Sequence, residues 1–152
     1  MERKMIRIIT KSREETVELG KKLGGLLKKG DMIAFLGGLG AGKTAFSSGI
    51  ALGLGLHRAE VSSPTFSLVN EYAGDHITMY HFDMYRIQTE EGLESTGFFD
   101  YPFDEGVAVI EWSENIMEFL PKNTIYITIK TLSENEREIT IEDGGRFADT
   151  WN

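Results

Sequence analysis

Apolar residues recur along this chain with two periods, and their alternation sets the order of elements. Residues 5–10 form a short Ile-rich run that predicts a strand. Ser12 followed by Glu15 makes a capping-box pair. Behind it Val17, Leu19, Leu23, Leu26 and Leu27 recur at near-helical spacing, so an amphipathic helix is predicted over 12–28, with Gly30 as its stop. The run 32–36 is apolar throughout and of strand length, as expected for a strand buried on both faces. Residues 37–42 are a glycine-rich turn, and a helix over 43–54 follows, closed by Gly53 and Gly55.

The second half reads differently. Strand-like runs at 66–72 and 77–82, separated by Ala73-Gly74-Asp75-His76, give a hairpin signal. An acidic stretch at 89–95 predicts a short helix, 98–106 is irregular and aromatic, and 107–110 is a short apolar strand ending in Glu111. A helix over 114–120 is expected to stop at Pro121, and 124–131 with 137–142 predicts a second hairpin turning through Ser133-Glu134-Asn135. The last ten residues carry no pattern and are expected to fray. Strands alternating with helices in front and hairpins behind predict an α/β fold, a mixed central β-sheet flanked by helices. No linker or repeat divides the chain, so 1–152 is expected to be a single domain.

Composition narrows the chemistry. Hydrophobic residues make up 41% of 152, enough for one sizeable core. There is no cysteine, so disulfides, thiolate metal sites and cysteine nucleophiles are excluded. No apolar stretch follows the first residues as a signal peptide requires, and no run approaches a membrane span, so no membrane association is expected. The net charge of -8 is uneven: residues 1–30 carry nine Lys/Arg against four Asp/Glu, and the remainder seven against twenty. An acidic surface repels a phosphate backbone, so tight direct nucleic-acid binding is not expected, although the basic N-terminal stretch could touch RNA or an acidic partner.

Gly37-Gly38-Leu39-Gly40-Ala41-Gly42-Lys43-Thr44 matches G-x-x-x-x-G-K-[ST] between a buried strand and a helix, the context a P-loop requires. The glycines let successive N–H groups turn inward around an anion, and the following helix starts with its positive end toward it. Lys43 supplies a cation to the β and γ phosphates, and the Thr44 hydroxyl is placed to ligate Mg²⁺. The expected nucleotide cradle is Gly38, Leu39, Gly40, Ala41, Gly42, Lys43, Thr44 and Ala45.

Such a site needs a carboxylate for the metal, usually at a strand end. Asp83 and Glu111 both close strand-like runs, and spacing leaves open which one ligates directly and which through water. Ser63-Pro64-Thr65 follows the P-loop helix as a turn able to reach the γ-phosphate in the manner of switch segments. His81, Tyr85 and Arg86 flank Asp83, and Trp112 follows Glu111. The guanine-reading N-K-x-D segment of GTPases is absent, which favours ATP, and no Arg-rich lid is present, which disfavours a small-molecule kinase.

Taken together these segments resemble the TsaE (YjeE) family of small bacterial P-loop ATPases in tRNA threonylcarbamoyladenosine (t6A) biosynthesis. The P-loop, Ser63-Pro64-Thr65-Phe66, His81-Phe82-Asp83-Met84-Tyr85-Arg86 and Ile110-Glu111-Trp112 occur in the family's order. The resemblance implies a cytoplasmic protein that binds ATP and Mg²⁺, hydrolyses ATP slowly alone, and works with TsaB and TsaD. It implies Lys43, Asp83 and Glu111 as the catalytic set, Thr44, Asp83 and Glu111 on the metal, and Ser63 and Thr65 in the switch-like turn. Two positions depart from the family pattern: Gly38, where an acid is usual, and Ala45, where a second Thr is usual. Two other functions compete, a module in which bound nucleotide merely holds an interface shape, and a small-molecule kinase.

Overall fold

The computed structural model describes residues 5–36, 42–56, 69–74, 76–84, 87–111, 113–114 and 116–147. Its strands are β1 (Met5–Thr10), β2 (Met32–Leu36), β3 (Val69–Ala73), β4 (Thr78–Asp83), β5 (Gly106–Glu111), β6 (Ile125–Thr131) and β7 (Arg137–Glu142). Its α-helices are α1 (Arg13–Leu26), α2 (Lys43–Gly53) and α3 (Glu90–Ser95). The strands form one mixed sheet in the order β1-β7-β6-β2-β5-β4-β3. The four central strands β6, β2, β5 and β4 run parallel, and antiparallel partners β7 and β3 flank them. This is the expected mixed α/β sheet, with both hairpins where turn residues placed them.

Strand alternation divides the core. On β2, Ile33 and Phe35 point into one cluster with Phe46 and Ile50 of α2 and Leu23 of α1. Met32 and Ala34 point the other way, into a cluster with Leu93 of α3, Phe98 and Ile116. A strand buried on both faces reads as a continuous apolar run, which is why 32–36 showed no alternation.

Helix α1 starts as its capping pair dictates: Ser12 Oγ accepts from the Glu15 N–H at 3.1 Å. The returning bond goes one residue early, from the Lys11 N–H to Glu15 Oε1 at 3.3 Å. Leu23 of the leucine stripe is fully buried and Leu19 and Leu27 pack on the core as the spacing predicts, but the other buried positions of α1 are Thr16, Gly20 and Gly24. Gly20 and Gly24 lie against Gly49 and Gly53 of α2 so closely that a Cβ on any of them would overlap a backbone carbonyl of the other helix. The two helices meet backbone to backbone.

Two expectations are corrected. Among the described residues of 114–120 there is no α-helix; a 3₁₀ turn at Met117–Phe119 stands there, ended by Leu120, which Pro121 keeps in extended backbone (φ -90°, ψ 153°). Of the last ten residues, expected to fray, 143–147 are held in place, and 148–152 lie outside the described residues. Asp143 accepts the N–H groups of Gly145 and Phe147, Arg146 makes a bidentate pair with Asp31 at 2.8 Å, and Phe147 packs on the larger core cluster.

Candidate functional site

The carboxyl ends of β2, β4 and β5 converge on one edge of the sheet. In β4 and β5 the register runs Tyr80 with Ala108, His81 with Val109, and so to Asp83 opposite Glu111. The two strand-end acids expected from sequence are therefore cross-strand neighbours, on the same face of the sheet as α2. Ser113 fastens this corner to β2: its Oγ–H donates to the Phe35 carbonyl at 2.8 Å, and its N–H reaches the same oxygen at 3.3 Å. Ser113 is fully buried and was not expected from sequence, since a serine two residues past a strand gives no local signal.

Helix α2 opens toward this edge. Gly42 is its N-cap in the left-handed region (φ 94°), where only glycine sits without strain, and no side chain caps the first turn. That turn contains no acid to neutralise its positive dipole end, which is favourable for an anion. Lys43 is buried, 3% exposed, and Thr44 is exposed beside it. Burial lowers the Lys43 pKa from its ordinary 10.5, while the charges of Glu111, Glu114 and Asp83 oppose the shift. The ammonium thus lies in the field of both strand-end acids.

His81 completes the corner. It is 1% exposed, and its Nε2 is 2.7 Å from Oε2 of Glu111. The angle of that contact falls outside hydrogen-bond geometry, and neither ring nitrogen has an aligned partner among the described residues.

A cavity of about 320 Å³ opens on the other side of the same helix start, lined by Gly42, Thr44 and Ala45 together with Ser12, Arg13, Thr16, Glu134, Asn135 and Arg137. Its size suits a small-molecule ligand. The pairing of Thr10 and of Thr131 with Arg137 brings the α1 start and the β6–β7 hairpin tip to this place. Arg137 Nη1 donates to the carbonyls of Ser133, Glu134 and Glu136 and so shapes the tip. These wall residues come from segments more than a hundred positions apart, so no sequence pattern could have joined them. Ala45 presents only a methyl to the wall, where the resemblance leads one to expect a Thr.

Of the residues expected in the site, Gly42, Lys43, Thr44, Ala45, Asp83 and Glu111 are brought to one region. Gly38, Leu39, Gly40, Ala41, Ser63 and Thr65, with Tyr85, Arg86 and Trp112, lie outside the described residues. No group of three or more His, Cys, Asp or Glu forms a metal cage among the described residues. Mg²⁺ is usually held by one or two carboxylates, waters and substrate phosphates rather than by an all-protein cage. Thr44, Asp83 and Glu111 are of the right donor type, beside a helix start free of acids. No helix among the described residues is long and apolar enough to cross a membrane.

A family model described as "Threonylcarbamoyl adenosine biosynthesis protein TsaE" matches residues 10–139. The chain is 39% identical over 136 residues to the tRNA threonylcarbamoyladenosine biosynthesis protein TsaE of Treponema pallidum, covering 90% of this chain and 99% of that one. It is 40% identical over 137 residues to the protein of the same name from Bacillus subtilis, covering 90% and 85%. A solved structure, the crystal structure of Bacillus subtilis YdiB, superposes with a TM-score of 0.73 at 34% identity, covering 98% of this chain and 93% of that one.

Proposed function

The chain belongs to the TsaE family, and from that premise we propose that it is the ATP-binding, slowly ATP-hydrolysing component of tRNA threonylcarbamoyladenosine biosynthesis, acting with TsaB and TsaD in the cytoplasm. A role in that biosynthesis follows from the family; the nucleotide, the hydrolysis and the two partners are our reading. The observation that carries it is the register that sets Asp83 opposite Glu111, within the field of Lys43 at the start of α2.

The triphosphate lies against the first-turn N–H groups of α2, with Lys43 on the β and γ phosphates. The Thr44 hydroxyl and the carboxylates of Asp83 and Glu111 hold Mg²⁺, directly or through water. When bound, the metal supplies charge neutralisation at the phosphate oxygens. Bound there, Mg²⁺ would compensate the charge of Asp83 and Glu111, and Lys43 would serve the phosphates. The 320 Å³ cavity receives the nucleoside, because it shares Gly42, Thr44 and Ala45 with the phosphate end and lies across α2's start from the acids. Gly38, Leu39, Gly40 and Ala41 complete the cradle, and Ser63 and Thr65 approach the γ-phosphate, in this reading.

The test is Mg-ATP turnover with and without TsaB and TsaD, for wild type, Asp83→Ala and Glu111→Ala. We expect low turnover alone, a rise with the partners, and at least a tenfold loss in each variant, as loss of a metal-side carboxylate brings about. Normal turnover in both variants would overturn the site assignment. Modified tRNA formed by a variant that binds ATP without cleaving it would replace hydrolysis with a purely nucleotide-held interface.

A further inference from the structure

We propose that His81 is a positioning residue for Glu111, fixing the orientation of that carboxylate so that the site binds Mg²⁺ with nucleotide. The inference rests on the reading of the site as a Mg-nucleotide site. Alternate residues of β4 and β5 facing the α1–α2 layer form two columns: Met79, His81, Asp83 and Val107, Val109, Glu111. Met79, Val107 and Val109 are fully buried members of the apolar cluster. His81 stands in the middle of this apolar layer at 1% exposure. A histidine there is costly, because a buried ring nitrogen without an aligned partner loses its water and gains nothing in return. A valine or isoleucine would continue the column at no such cost.

The register explains what the imidazole reaches. His81 pairs with Val109 and Asp83 with Glu111, so Glu111 is the diagonal neighbour of His81, within range of long side chains. Nε2 accordingly comes to 2.7 Å from Oε2 of Glu111, itself only 6% exposed. The distance is that of a charge-assisted hydrogen bond, and a small rotation of either group brings the N–H onto the carboxylate. Once that N–H is aligned, it restricts the rotation of the carboxylate, and a bound cation has less to order. Asp83 also faces Glu111 across the strands, but it is a like charge, whereas His81 brings a ring nitrogen to the Glu111 carboxylate from within the sheet.

The experiment titrates Mg²⁺ into wild type and variants at fixed ADP, following nucleotide binding by calorimetry, with ADP affinity in EDTA and the thermal midpoint as controls. His81→Phe removes the N–H, and His81→Gln keeps a donor. For His81→Phe we expect metal-free ADP affinity within about twofold of wild type and a magnesium half-saturation raised about tenfold or more, the usual size of a lost outer partner to a metal ligand. His81→Gln should recover part of that shift. If the larger ring does not fold, His81→Val carries the same comparison. Unchanged magnesium half-saturation in the apolar variant would overturn the inference while leaving the site reading intact. So would a parallel fall in metal-free affinity, which marks a packing defect. Wild-type protein binding ADP without any magnesium dependence would overturn the site reading and the inference together.

Discussion

Lys43 is buried in a helix start with three acids in its field. Desolvation outweighs the acids, since the net effect on its pKa is downward from 10.5. A charged Lys43 therefore strains the nucleotide-free fold, and the phosphates relieve it. Lys43→Met keeps the stem and removes the charge. Thermal melts should show its nucleotide-free midpoint at or above that of wild type, with the rise on adding Mg-ADP lost; a midpoint several degrees lower would refute the burial argument. Ser113 acts in the opposite sense. Its hydroxyl serves the Phe35 carbonyl at the end of β2, and a buried carbonyl losing a partner costs about 1–2 kcal/mol. Ser113→Ala should lower stability by that amount in urea unfolding. Lys43, Thr44, Asp83 and Glu111 were legible in the sequence because each belongs to a short motif or ends an apolar run. Ser113 and the wall residues Ser12, Arg13, Thr16 and Asn135 were not, because only strand pairing brings them to the site.

The P-loop helix is held in place by its glycines. Gly49 and Gly53 on α2 face Gly20 and Gly24 on α1, and an added Cβ at Gly24 would overlap the Ile50 carbonyl, as one at Gly49 would overlap that of Val17. The neighbouring atoms are backbone and cannot rotate aside, so the helices must part. Gly24→Ala and Gly49→Ala should each destabilise by about 1–3 kcal/mol, the range for overpacking a tight contact. Gly25→Ala is the control. Gly25 is exposed, with nothing within 4 Å of an added Cβ, so the change should gain up to about 1 kcal/mol of helix propensity. Chemical denaturation of the three variants checks the contrast; equal effects at 24 and 25 would rule out the close approach. Helix positions were visible from periodicity, yet the glycine interface between them was not. Periodicity weighs hydrophobicity, and a glycine contact contributes closeness instead. The four-residue spacing of both glycine pairs was the available signal. The strands were better read, since β2 and β5 declared themselves as unbroken apolar runs. The 114–120 segment was misread because Pro121 holds Leu120 extended, and the helical pattern stops at a 3₁₀ turn.

Across the sheet, one end carries the candidate site and the other a structural clasp. The carboxyl ends of β2, β4 and β5 carry the site. At the amino end of β2, Asp31 is buried and receives both Nη atoms of Arg146 at 2.8 Å, besides the Lys28 N–H at 2.7 Å. This pair clasps the turn after β7 onto the start of β2, and Arg146 also lies over the Phe147 ring, 4.8 Å from its centroid. Arg146 is 27% exposed, so solvent softens the loss of the pair; Arg146→Met should cost about 1–3 kcal/mol, below the range for a fully buried one. β2 has five residues at about 3.3 Å each, which puts the clasp roughly 16 Å from the phosphate end. Sites that far apart without shared partners act independently. Arg146→Met should therefore lower the urea midpoint while leaving ADP affinity and its magnesium dependence within about twofold of wild type. If both fell together, β2 would be transmitting strain from one end of the sheet to the other, and the division of the molecule into a structural and a functional end would be wrong.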